Sequence, residues 1–258
     1  MNLKCFELTM EDGWALLEMA RPEKLNVLDE GVLRELHQIL GTLKEQKIKA
    51  VVLTGQGKAF AAGADVAAMA EMDSQAAQDF SRFGNKVFQE IEDHPAVFIA
   101  AVNGYALGGG CELALACDLR WASTRASFAQ PEIGLGIIPG FGGTQRLPRI
   151  IGATRAKEWI LTGRRYSAQE ALAAGLISQV LEPEVLLQEA TKLAQELAQK
   201  SGPILAIAKQ AIASSGTGVK ESQGETEARF FAQCFETEDG LEGLQAFVEK
   251  RAPLFKDR

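Results

Sequence analysis

AVVLTG at 50–55 and VFIAAV at 97–102 are continuous apolar runs of strand length and read as buried strands. Upstream of the first, Asp29 stands where it can cap a helix whose apolar positions Val32, Leu33, Leu36, Ile39, Leu40 and Leu43 recur at helical spacing. Further back, CFELTM, a Glu-Asp-Gly turn at 11–13 and WALLEMA form a β-hairpin pattern. Between the two strands, an Ala-rich stretch at 61–72 precedes a second amphipathic helix marked by Phe80, Phe83, Val87 and Ile91 and stopped by Pro95. The alternation continues with Gly104, the triplet Gly108–Gly110, a short apolar helix to Cys117 and strand-like segments at LRWAS and ASFA. Residues 131–148, rich in Gly and Pro, read as a long functional loop. Beyond 153 the pattern predicts helices at 153–161, 167–174, 184–199, 203–213 and 219–250, with one short strand near ISQV. The whole is an α/β core followed by a helical tail that packs on it or on another subunit.

At 258 residues the chain is long enough for one large domain with at most a small appendage. A hydrophobic share of 47% with 24% charged residues is that of a folded protein. The net charge of −7 demotes nucleic acids and anionic membranes as partners, since either requires a cationic patch. No apolar stretch approaches membrane-spanning length, and MNLKCFELTMEDG lacks the basic-then-apolar order of a secretory signal, so a cytoplasmic location is expected. Cys5, Cys111, Cys117 and Cys234 show no CxxC spacing and sit largely among apolar neighbours, which suits reduced, buried thiols better than disulfides or a metal site. His37 lies within a helical pattern and His94 precedes Pro95, positions of surface or capping histidines. Acid–base chemistry, if present, falls to carboxylates.

No GxGxxG follows a strand, Gly57-Lys58 lacks the remainder of a P-loop, and there is no GxSxG elbow, so dinucleotide, nucleotide and serine-hydrolase readings lose ground. In YALGGGCELALAC, residues 105–117, Glu112 is the one charge. Apolar surroundings disfavour its ionised form and raise its pKa; the competing reading is a structural Glu paired with a buried Arg or capping an interior helix. The glycines before that helix let backbone approach a ligand and present free N–H groups at a positive helix end. Glu132, in QPEIGLGIIPGFGG, has no obvious partner and reads alone as either a solvated loop residue or the second member of a carboxylate pair. Adding water across a conjugated C=C needs one group to take a proton from water and another to deliver one to carbon. Gly63-Ala64-Asp65, just after a strand, offers another N–H source for an oxyanion, or simply a tight turn entering a helix near Asp65.

RPEKLNVLD (21–29), GKAFAAGADV (57–66), AAVNGYALGGGCELALACDLR (100–120), QPEIGLGIIPGFGGTQRLPR (130–149), TGRRYSAQEALAAGL (162–176) and AFVEKRAPLF (246–255) together resemble the crotonase family, and specifically its enoyl-CoA hydratases, essentially end to end. The resemblance implies a spiral of repeated ββα units over 1–200 that carries a CoA-thioester site, and a helical region at 201–258 that packs on the core or mediates trimerisation. It implies a homotrimer, or a homohexamer built as a dimer of trimers. It implies no cofactor and no metal, the CoA being part of an acyl-CoA substrate. By resemblance, the amides of Ala64 and Gly109 hold the thioester oxygen, Glu112 positions and activates water at C3, and Glu132 also holds it and supplies the C2 proton. Ala62, Asp65 and Val66 would follow the CoA path; Lys24, Phe247 and Lys250 would reach CoA, the last two from an adjacent subunit. Ala67 stands where many relatives carry a Lys, so a phosphate contact there is missing, with Lys24, Lys58 or Lys250 as substitutes. The expected reaction is reversible hydration of a 2-enoyl-CoA. A Δ3-Δ2-enoyl-CoA isomerase needs only one shuttling carboxylate, and a non-catalytic acyl-CoA- or RNA-binding relative would need clustered cations that this acidic chain lacks.

Overall fold

The turn at 11–13 folds the chain back on itself, with Gly13 at φ 79°. In the computed structural model, whose described residues are 3–215 and 223–258, β1 (Phe6–Met10) pairs antiparallel with β2 (Trp14–Met19), Phe6 opposite Met19. Asp29 caps α1 (Glu30–Glu45) by accepting from the Val32 amide at 2.9 Å, and the six apolar positions predicted for this helix are its buried ones.

Three ββα units follow. The first is β3 (Ala50–Gly55), β4 (Ala59–Ala61), the short α2 (Val66–Ala70) and α3 (Ser74–Glu92). The second is β5 (Val97–Val102), β6 (Tyr105–Leu107) and α4 (Gly109–Ala116). The third is β7 (Leu119–Ser123), β8 (Ser127–Ala129), a 3-10 turn at Glu132–Leu135 and α5 (Gly143–Ile151). Then come α6 (Ala153–Thr162), β9 (Tyr166–Ser167), α7 (Ala168–Ala174), β10 (Gln179–Leu181) and α8 (Pro183–Ala198). The tail holds α9 (Gly202–Ser214), α10 (Gln223–Cys234) and α11 (Glu238–Glu249). The first strand of each unit joins a sheet ordered β1-β2-β3-β5-β7-β10, and the second joins a smaller sheet ordered β4-β6-β8-β9. Each unit thus advances one parallel strand in both sheets, which is the expected spiral.

The uninterrupted apolar run of β3 now has its reason. Val51 and Leu53 face the main core, whereas Ala50 and Val52 face a second core beneath α8, with Leu186, Ala190 and Ala194. A strand covered on both faces has no position for a polar alternation.

Two expectations require correction. The segment 131–148 is not loop throughout, because α5 starts at Gly143 and runs through Pro148. Burial of Arg146, Leu147 and Ile151 along one face outweighs the cost of the missing Pro148 N–H. The helix expected over 219–250 is two helices, broken at 235–237 where Thr237 caps α11 by accepting from Gly240 N at 2.9 Å; part of that expectation, 219–222, lies outside the described residues.

Candidate active site

Because β4, β6 and β8 lie side by side and parallel, the residues that leave their C-terminal ends converge. Those residues are Gly63 to Asp65, Gly108 to Glu112, and Gln130 to Glu132. The convergence is close: a Cβ on Gly108 would lie 2.5 Å from Glu132 Oε1 and 3.8 Å from Gly63 Cα. Gly110 allows α4 to press on β4, where a Cβ would fall 1.9 Å from Ala61 O. Between the three corners and α3 opens a cavity of about 630 Å³, largely apolar and lined among others by Ala62, Ala64, Val66, Gly109, Glu112 and Glu132.

Two amides at this cavity are free to act on a ligand. Leu28 bonds to both neighbours of Ala64, donating to Gly63 O at 2.8 Å and accepting from Asp65 N at 3.2 Å. In parallel pairing this turns the N–H of Ala64 to the opposite side. Gly109 opens α4, so its N–H has no partner within the helix and lies at the positive end of the helix dipole. Gly108 reaches that junction at φ 50° and ψ −122°, a conformation only glycine adopts without strain.

Glu112, in the first turn of α4, is 1% exposed. Its Oε1 accepts from the amides of Phe141 at 2.8 Å and Gly143 at 2.6 Å. Burial pushes its pKa up to about 7; the Glu132 charge acts in the same direction, while the two amides and Arg146 oppose. Arg146 does not pair with it: that guanidinium donates to Phe141 O at 2.8 Å and to Glu92 Oε2 at 2.7 Å, holding the loop that supplies the two amides. The Arg-paired reading of Glu112 fails, whereas the capping reading holds for one oxygen: Oε1 accepts from Gly143, the first residue of α5, which leaves the other free for a second role.

Glu132 is 9% exposed, not a solvated loop residue, and its Oε2 is buried without a hydrogen-bond partner. Burial pushes this carboxyl up to about 7 as well. Two carboxyl groups poised near neutrality therefore share the wall of one cavity with two free amides.

The other expected residues are dispersed. Val66 is half exposed at the cavity wall and Ala62 lines it. The Asp65 side chain instead caps α2, accepting from Ala68 N at 3.2 Å. Lys24 is exposed in a 3-10 turn whose next residue, Leu25, accepts from Ala62 N at 3.0 Å, which sets it near the Ala62 corner. Ala67 is exposed on α2. Phe247 and Lys250, on and just after α11, are exposed and outside the residues that line the cavity of this chain. Met69, Met72 and Phe141 all line it.

The histidines stay apart from this site. His94 is buried, bonded to Leu40 O and Ala96 N, and burial pushes it down to about 4; His37 sits at the surface against Glu90. All four cysteines are free, and burial pushes Cys117 up to about 12 and Cys111 up in the same sense, leaving both thiols unreactive.

Sequence reasoning missed Arg146 and Gln130. Once α5 is allowed, the three- and four-residue spacing from Gly143 to Leu147 and Ile151 places Arg146 on its buried face. Gln130 continues the alternation of β8 on the side of the buried Phe128; it is wholly buried with both amide atoms unpartnered, and its Nε2 and Glu112 Oε1 each lie 3.0 Å from the point a Gly143 Cβ would occupy.

Comparison with known proteins identifies the family. The family model for enoyl-CoA hydratase/isomerase matches residues 9–258. The chain is 42% identical over 253 residues to the short-chain-enoyl-CoA hydratase of Clostridium acetobutylicum, covering 97% of both. It is 42% identical over 252 residues to the crotonyl-CoA hydratase of Syntrophomonas wolfei, covering 96% of both. The crystal structure of an enoyl-CoA hydratase from Bacillus anthracis superposes with a TM-score of 0.91 at 39% identity, over 99% of this chain and 100% of that one. The chain belongs to the enoyl-CoA hydratase/isomerase family and is an enzyme of the enoyl-CoA hydratase type.

Proposed function

We propose that Glu112 and Glu132 act together on one water molecule, adding it across the 2,3-double bond of a 2-enoyl-CoA held by the amides of Ala64 and Gly109. The water oxygen bonds to C3 as one carboxylate takes its proton. The π electrons move through C2 onto the thioester oxygen, where two N–H donors stabilise the enolate. C2 then takes a proton as the C=O re-forms. Glu112, fixed by two backbone donors, positions and activates the water; Glu132, with a free oxygen in the cavity, also holds it and delivers the C2 proton. The observation that carries this reading is the pair of buried carboxyl groups, each raised to about 7, on the wall that also presents both amides. Such groups exchange protons at neutral pH where ordinary carboxylates remain ionised.

The substrate's own CoA is the only group this chemistry needs. Ala62, Asp65 and Val66 lie along the corner where CoA would enter, and Lys24, Lys58 and Lys250 are the candidates for its phosphates in place of Ala67. We assign 1–200 to the catalytic core and 201–258 to a region that joins subunits into a trimer or a pair of trimers. Support comes from large apolar side chains left exposed on the last two helices, among them Phe231 at 65%, Phe247 at 84% and Val248 at 74%. Within such an assembly Phe247 and Lys250 would reach a neighbour's CoA. No described helix is long and apolar enough to cross a membrane, and four free cysteines suit the reducing cytoplasm.

Incubating the purified protein with crotonyl-CoA tests the reading. Loss of the conjugated-thioester absorbance is the expected result; no loss with crotonyl-CoA or medium-chain enoyl-CoAs would overturn it. A 3-enoyl-CoA run in parallel separates isomerisation, which would create that absorbance.

A further inference from the structure

Beside Glu112 the cavity has an aromatic wall, Phe141. Phe141 lines the cavity yet is only 4% exposed, and its ring packs edge-on against Phe80 at 5.1 Å and Phe88 at 5.6 Å between centroids. On its other side it abuts the start of α4, where a Cβ on Gly109 would lie 3.1 Å from Phe141 Cδ2. The ring therefore lies beside the amide assigned to the thioester oxygen.

Its surroundings leave it little room to swing away. Gly84 of α3 provides its seat, since a Cβ there would come within 2.3 Å of Phe141 Cδ1. The preceding carbonyl, Gly140 O, accepts from Ser81 Oγ at 2.6 Å and Asn85 Nδ2 at 2.7 Å. Phe141 itself is pinned at both ends of its backbone, N–H to Glu112 and carbonyl to Arg146. Close-packed aromatic rings on such a frame do not yield to an incoming methylene. Met69 and Met72, by contrast, line the cavity from partly exposed positions and have flexible side chains that adapt.

We propose that Phe141, seated on Gly84, is the wall that sets acyl-chain length and confines the enzyme to short 2-enoyl-CoAs. The inference rests on the hydratase reading above. With the thioester oxygen at the Ala64 and Gly109 amides and C3 at the glutamates, the acyl chain continues toward this ring and ends against it.

The test measures kcat/KM for the C4, C6, C8 and C10 2-enoyl-CoAs with wild type, Phe141→Ala, Phe141→Leu and Met72→Ala, each checked for folding by its melting curve. Wild type should fall at least tenfold from C4 to C8, in keeping with about tenfold or more per methylene that a hydrophobic pocket cannot admit. Phe141→Ala should raise the C8-to-C4 ratio at least tenfold, Phe141→Leu should raise it less, and Met72→Ala should leave it near the wild-type value. Wild type that hydrates C8 as well as C4 would overturn the wall whatever the variants do. So would an unchanged ratio in folded Phe141 variants, or a rise confined to Met72→Ala. Absence of hydration at every chain length in wild type would instead overturn the hydratase reading.

Discussion

Gly108 and Glu132 approach so closely that a single methyl group on the glycine would collide with the carboxylate, its Cβ 2.5 Å from Oε1. The same glycine holds φ 50° and ψ −122°, turning the chain into α4 so that the next amide, that of Gly109, reaches the cavity. Gly108→Ala should therefore displace Glu132 and the Gly109 amide together, at a conformational cost of about 1–3 kcal/mol. Hydratase turnover should drop at least hundredfold while the protein still melts cooperatively. Near-normal turnover would show that the corner tolerates a side chain.

Both carboxyl groups titrate near 7, so the pH dependence of the reaction follows. One must be ionised to accept the water proton and the other protonated to supply C2, a state most populated around pH 7 and depleted on both sides. The pH profile of kcat/KM for crotonyl-CoA should be bell-shaped with both limbs near neutrality. A profile flat from pH 5 to 9 would be inconsistent with the pair.

Burial of Glu112 also affects stability. Its folded pKa of about 7 lies above the usual carboxylate value of 4.5, so the folded state binds more protons between these limits and loses stability as pH rises through them. Glu112→Gln abolishes that titration. Relative to wild type, the variant should gain on the order of 2–3 kcal/mol in unfolding free energy between pH 4 and pH 8, from about 1.4 kcal/mol per pKa unit. Denaturant melts at the two pH values measure the difference; a constant difference would mean that Glu112 titrates normally.

Arg146 ties the loop bearing the two Glu112 donors to Glu92 on α3, through bonds of 2.8 Å to Phe141 O and 2.7 Å to Glu92. Arg146→Ala should cost on the order of 3 kcal/mol, since it strands a partly buried carboxylate. Turnover should fall as well, with the acid limb of the pH profile shifted to higher pH, because Glu112, the group that must be ionised, loses a nearby positive charge. Arg146→Lys should recover less than half of either loss, as one ammonium cannot span both acceptors.

What the sequence showed and what it hid divide along the range of the interactions. The hairpin, the Asp29 cap, the buried run at 50–55 and the apolar setting of Glu112 all depend on neighbours a few residues away, and each was legible. Glu132 was not, because its burial comes from β8 ending beside β6 and β4, pairings between segments more than twenty residues apart. α5 was hidden by its own composition, two glycines at its start and Pro148 within it, and forms because Leu147 and Ile151 reach the core. Gln130 and Arg146 matter through contacts with Glu112's surroundings, which local patterning does not encode. The paired role proposed for the glutamates comes from the family resemblance, and the geometry adds that both are buried at one cavity.

The most direct measurement is crotonyl-CoA hydration by wild type, Glu112→Gln, Glu132→Gln and the double variant. If the two carboxyl groups act on one water, each single variant should lose roughly a hundredfold or more in kcat. The double variant should lose little beyond the worse single, as groups that work as a unit are not additive. Wild-type turnover in either single variant, or losses that multiply in the double, would contradict a shared water.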